Sequence, residues 1–279
     1  MWLRRFSKIT CFATLFLIFV GGMVTSTNSG LSVPDWPLSY GSFFPPMIGG
    51  VFYEHGHRMV ASAVGFLMLI LAIWLGIKEK RRWVRNLGFG ALGAVIAQGV
   101  LGGLTVLFFL PPAISVAHAF LAQIFFVITI IIAYSQSLER QNRQDEKGEC
   151  NRIFIELGFA LIILIFLQLI VGAIMRHTSS GLAIPDFPTM GGYWFPPFNT
   201  MMLSHINHWR FQHNLDPVIM AQVIIHFMHR MGALLIFIMI IVLNIAGLKH
   251  LGADKRIVLL PTIFLLDLLF ILQVLLGIL

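Results

Sequence analysis

Charge and cysteine are both scarce in this sequence. Asp, Glu, Lys and Arg make up 11% of its 279 residues, where a soluble domain carries about a quarter. With 58% hydrophobic residues and a mean hydropathy of +0.87, that deficit excludes an ordinary soluble globular fold. The two cysteines, Cys11 and Cys150, both fall on or near the side expected to face the cytoplasm, so no disulfide framework is indicated. Ten-residue segments of alternating hydrophobicity, the mark of an outer-membrane barrel, are missing as well.

What the chain does have is long apolar runs. Seven stretches, at about 7–27, 58–77, 86–108, 113–135, 153–175, 221–247 and 257–279, reach the roughly 20 residues needed to cross a bilayer. Helices are the expected form, because lipid offers backbone groups no outside partner. The first run follows a short basic segment like that of a signal peptide, but it is long and has no small-residue cleavage site, so a retained helix is expected. The net charge of +7 reports topology and gives no nucleic-acid surface. Of 19 Lys and Arg, 15 gather at Arg4, Arg5 and Lys8, at Lys78, Lys80, Arg81, Arg82 and Arg85, at Arg140, Arg143, Lys147 and Arg152, and at Lys249, Lys255 and Arg256. These are the N-terminus and every second connection, which the positive-inside rule makes cytoplasmic. The expected setting is the inner membrane of a bacterial cell, with the lipid bilayer as solvent.

The chain also repeats itself. GGMVTSTNSGLSVPDWP from Gly21 returns as GAIMRHTSSGLAIPDFP from Gly172, at an offset of 151; His57-Arg58-Met59 returns as His229-Arg230-Met231, at an offset of 172. The second outer loop is therefore 21 residues longer. Gln98 and Leu101-Gly102 recur as Gln273 and Leu276-Gly277. Four spans per unit give both halves one orientation, so the expected fold is all-α and integral to the membrane: two tandem four-helix-bundle halves related by a pseudo-two-fold axis along the membrane normal. The expected division is 1–140 for the first half, 141–152 for a cytoplasmic linker and 153–279 for the second. The repeat predicts a fourth span in the second half, with a counterpart of His118, which these seven spans lack; a truncated or split product is the expectation, a true seven-span form the alternative.

Ionisable residues within spans are functional candidates. His57 opens the second span, His118 lies early in the fourth, and His229 matches His57 in the sixth. Histidines at one depth on bundle helices suit axial ligation of haem iron; a histidine bonded between helices is the bland alternative. No C-x-x-C-H element is present, which argues against covalent c-type attachment. Glu54 stands three residues before His57, on the same helix face, with His226 in the matching place before His229; the bland reading of Glu54 is a helix-start carboxylate. Arg58, Arg230, Arg176 and Arg210 are the outer basic residues and ask for anions: haem propionates, or Glu54, Asp35 and Asp186. The segments Pro34–Pro37 and Pro185–Pro188 read as rigid turns in lids, with Gly30 and Gly181 supplying special backbone angles. Trp36, Phe43, Phe44, Trp194 and Phe195 suit either a porphyrin or an interface belt. His205, His208 and His213 lie in the long loop, where solvation is favoured over metal binding. Asp267 is mid-span without a counterpart or an assigned role.

GLSVPDWPLSYG, EHGHRMVAS, SVAHAF, RHTSSGLAIPDFP and IHFMHRMGA together resemble haem A synthase, over nearly the whole chain. The resemblance implies eight spans in two like halves and conversion of haem O to haem A by oxidation of a porphyrin methyl to a formyl group. It further implies that His57 and His118 face the substrate haem O, that Glu54 is the carboxylate needed for turnover, and that His229 ligates a haem b cofactor whose other histidine belongs to the last span. Cofactor contacts from Arg58 and Arg230 go with it. Implied partners are the farnesyltransferase that makes haem O and cytochrome oxidase assembly proteins; a homo-oligomer is also admitted. The cysteine pair that some members carry in the first outer loop is absent here. Two other readings stay open: a bis-histidine cytochrome b that only transfers electrons, and a haem-handling transporter or chaperone.

Overall fold

In the computed structural model, residues 1–138, 140, 152–250 and 253–278 are described; Arg143, Lys147, Cys150 and most of the expected linker lie outside them, as do the side chains of Lys255 and Arg256. Among the described residues the regular structure is helical: α1 Trp2–Ser26, α2 Gly50–Lys78, α3 Arg82–Leu107, α4 Pro112–Ser135, α5 Arg152–His177, α6 Thr200–Gln212, α7 Met220–His250 and α8 Ala253–Ile278. All but α6 are long and apolar enough to cross a membrane, seven helices in total. Two isolated bridges, Ser39–Ser42 and Met190–Tyr193, close one turn in each lid.

The chain divides into two compact units, Met1–Lys147 and Gly148–Leu279. In the first, α1 packs on α2 and α4, and α3 packs on α2 and α4, closing a four-helix ring. Its core comprises Val64, Met68, Leu71, Leu75, Val84, Phe125 and Ile132. The hydroxyls of Ser7, Thr10 and Thr14 donate to the carbonyls of Arg4, Phe6 and Thr10, so α1 buries them without an orphan. Gly88 lets α3 close on α2: a Cβ there would stand 2.9 Å from Leu75 Cδ1. Pro112 opens α4, where a missing N–H costs nothing.

In the second unit α7 packs on α5 and, more lightly, on α8. Asn244 of α7 donates to both carboxylate oxygens of Asp267 on α8, at 3.0 and 3.1 Å, which gives that mid-span acid a partner. The extra length of the second loop forms α6, so His205 and His208 are helical and His213 caps the helix end; the loop expectation is corrected. Asn199 caps its start by accepting from Met202 N–H at 2.9 Å, and Met202 and Ile206 bury against Ala183, Ile184 and Val223.

Helix α2 begins at Gly50, eight residues before the expected run. The apolar run starts late because the first two turns carry Glu54, His55, His57 and Arg58, whose polar groups mostly turn to the lid.

Candidate functional site

Each unit carries a lid, residues 27–49 in the first and 178–199 in the second. The turn at its centre is held by an aspartate. Asp35 accepts from Tyr40 N–H at 2.7 Å and Gly41 N–H at 2.8 Å; Asp186 accepts from Gly191 and Gly192 N–H at 2.6 and 2.8 Å. The bonds from Gly41 and Tyr40 hold the Asp35 carboxyl below its ordinary pKa. For Asp186, burial pushes upward, but bonds from Thr189, Gly192 and Gly191 outweigh it and the net shift is down. The positive-φ glycines are Gly41, Gly49, Gly191 and Gly192. Gly30 and Gly181 do not share that conformation, which corrects the expectation for them: the Asp-bonded turn, not the earlier glycine, is where the chain reverses.

The two lids are fastened in parallel ways. Glu54, 4% exposed, accepts from Val33 N–H through Oε2 at 2.8 Å and from Arg58 through Oε1 at 2.7 Å. Arg58 also donates to the carbonyls of Asp35 and Leu38 at 2.7 and 2.8 Å. In the second unit His226 takes the place of Glu54: its Nδ1 lies 3.1 Å from Ile184 N and its Nε2 3.1 Å from Arg230 Nε. Arg230 donates to the carbonyls of Asp186, Thr189 and Ile184. Of the anions the sequence offered, Arg58 thus pairs with Glu54, and both arginines meet the aspartates through main-chain oxygen. Val33 and Ile184, the residues gripped, are 0% and 2% exposed.

Beneath the first lid stand His57 and His118, close enough for electrostatic interaction. The His57 ring has no hydrogen-bond partner among the described residues, and the His118 ring meets only the main chain at Gln98; Nδ1 is enclosed in each. Each ring packs against a glycine. A Cβ at Gly21 of α1 would stand 3.0 Å from His57 Cε1, and one at Gly102 of α3 would stand 3.4 Å from His118 Cε1. Gln98 of α3 donates to the His118 carbonyl at 2.9 Å. Beside Gly102, Gly103 seats the lid: a Cβ there would stand 2.6 Å from Trp36 Cδ2. In the second unit Gly172, the repeat partner of Gly21, backs His229 at 3.3 Å. Phe43, Phe44, Trp194 and Phe195 are 68–92% exposed, as an interface belt requires.

A family model described as COX15-CtaA, cytochrome oxidase assembly protein, matches residues 4–50 and 49–279. The chain belongs to the COX15-CtaA family. It is 32% identical to the heme A synthase of Bacillus licheniformis over 265 residues, 91% of this chain and 78% of that protein. Against the heme A synthase of Bacillus pumilus the identity is 28% over 263 residues, 91% and 78% of the two chains. With that of Halalkalibacterium halodurans it is 29% over 215 residues, 74% and 70%. Membership in the COX15-CtaA family and seven apolar helices make this a multi-pass membrane protein.

Sequence reasoning set His57 and His118 at one depth and offered Glu54 only as one of several anions for Arg58. It missed His55, buried under the lid with Nδ1 2.7 Å from Ser39 Oγ, and Gln168, whose amide lies 3.1 Å from His229 Nδ1. His55 sits inside the EHGHR element and was overlooked as filler. A lone glutamine in an apolar span was the available signal for Gln168.

Proposed function

We propose that this chain is a haem A synthase: it takes haem O as substrate and oxidises one porphyrin methyl to the formyl group of haem A. The observation that carries the reading is the pair His57 and His118, two buried imidazoles that no side chain holds, set in glycine-backed seats under one lid. An unpaired buried imidazole is costly unless something else uses its lone pair. Iron of a porphyrin is the acceptor that two such rings suit best. His229, on its own glycine seat, is the proposed ligand of a haem b in the second unit. When bound, that group supplies a route for the electrons the methyl gives up.

The chain's own residues do the rest. Of the two roles open to Glu54, fixed charge is favoured over a mobile base, since each carboxylate oxygen already accepts a bond and one faces a guanidinium. The carboxylate lies one helical turn from His57, where it favours positive charge developing on the substrate. Through Val33 and Arg58 it also holds the lid and keeps water from the site. Arg58 and Arg230 act here as lid clamps, with donors in excess of their carbonyl partners available to propionates. The charge distribution supports an N-terminus on the cytoplasmic side and lids on the outer side; a bacterial inner membrane is the proposed setting. The farnesyltransferase that makes haem O and cytochrome oxidase assembly proteins are the proposed neighbours.

Co-expression with a source of haem O, followed by extraction and mass analysis of non-covalent haems, tests the reading. Haem A is expected with the native chain. Glu54→Gln should abolish haem A and retain bound haem; a cytochrome b or a haem transporter would be indifferent to that change. A preparation that binds no haem at all would end the proposal.

A further inference from the structure

The two units differ at one place where the repeat should make them alike. Gln168 of α5 stands four residues, one helical turn, before Gly172, and both reach the His229 ring. The Gln168 amide nitrogen donates to the His229 carbonyl at 2.8 Å and lies 3.1 Å from its Nδ1. On the far side of the amide is Gly232 of α7, where any Cβ would overlap Gln168 Oε1. Shifted back by the repeat offsets of 151 and 172, these positions are Leu17 and Val60. Both of those pack against the first unit's apolar core. The first unit thus has Leu and Val where the second has Gln and Gly: the second unit's amide fills the space that its glycine leaves open. No side chain supports His57 or His118 in this way: the Nδ1 of His57 is orphaned, and the His118 ring meets only the main chain at Gln98.

We propose that Gln168 is a positioning residue for His229, fixing the orientation of its ring through Nδ1, with Gly232 as the space that admits the amide; this rests on the reading of His229 as an iron ligand. A ligating imidazole binds through one nitrogen and is held by a bond at the other. As it stands, the amide N–H faces Nδ1, which puts the ring proton on Nε2. Ligation through Nε2 needs that proton on Nδ1. A carboxamide meets either tautomer, because a half-turn about its last bond exchanges N–H for C=O. Leucine meets neither. The unit that must keep its haem therefore has a ring held by a side chain, and the unit that must exchange substrate for product has none.

The test uses the full chain in a His57→Ala background, so that the pigment read belongs to the second unit. Gln168→Leu should release haem about 10–100-fold more readily, the range for loss of an outer-shell partner, and should raise its reduction potential. Gly232→Ala, which evicts the amide and leaves Gln168 in place, should do the same. Gln168→Glu, which keeps an acceptor for Nδ1–H, should retain haem and lower the potential. In haem-free protein, 15N-histidine solid-state NMR should find His229 protonated on Nε2, and Gln168→Leu should remove that preference. Unchanged haem release and potential in both Gln168→Leu and Gly232→Ala would overturn the inference and leave the His229 assignment standing. Full retention of the pigment by His229→Ala would overturn the assignment and the inference together.

Discussion

Trp36 rests on the main chain of Gly103, and Gly102 next to it gives His118 its seat. One pair of small residues thus connects a lid aromatic to an imidazole. Alanine at 103 would force its methyl into the indole, and overpacking of this kind costs about 1–3 kcal/mol. Most of that cost is escaped if the lid lifts. Gly103→Ala is therefore expected to expose the lid, read as faster proteolysis between residues 27 and 49 with little change in melting temperature. Gly21→Ala meets a ring that has less freedom. It should displace His57 and weaken haem binding in the first unit, measurable as a loss of Soret absorbance in a His229→Ala background.

At the scale of elements, the α2–α3 connection is stapled to the end of α4. Glu79, its side chain 8% exposed, accepts from Arg81 at 2.8 and 2.9 Å and from Gln136, and Arg81 donates onward to the Ser135 carbonyl at 2.9 Å. The bonds from Arg81, helped by Gln136 and opposed by burial, lower the Glu79 pKa from 4.5 to about 2. A carboxyl depressed on folding contributes stability above its unfolded value and loses it as pH falls through the folded one. Stability should thus decline between about pH 4.5 and about pH 2, and Glu79→Gln should flatten that decline in a detergent melting series. The spans themselves were legible in the sequence, because twenty apolar residues in a row have few other uses. Their ends were less so. Helix α2 runs into a polar segment whose bonds are made to the lid, and no local signal announces partners some 20 residues away. Helix α6 was hidden for another reason. Its apolar residues are interrupted by Ser204, His205, Asn207, His208 and Arg210, too often to suggest a span, and its histidines mask the Asn199 cap. His57 and His229 were legible by repetition and His118 by its depth in an apolar span; their glycine seats and Gln168 needed the packing of neighbouring helices to appear.

For the molecule as a whole, the basic clusters predict sidedness. A single cysteine at Ser42, in a Cys11→Ser, Cys150→Ser chain, should react with a membrane-impermeant maleimide from the periplasm. One at Lys80 should react only after the membrane is opened. The reverse pattern would invert the assigned orientation. The duplication that made the two units has also been tuned unequally at the lids. A carboxylate offers lone pairs on two oxygens, so Glu54 satisfies Val33 and Arg58 together. A neutral imidazole has a single lone pair on its ring nitrogens, yet His226 faces donors on both sides, from Ile184 and from Arg230. One of those two approaches must stay idle at any instant, which makes the second cap the looser knot of the pair. His226→Glu would restore the missing acceptor, and slower hydrogen exchange at the Ile184 amide would register the tightening.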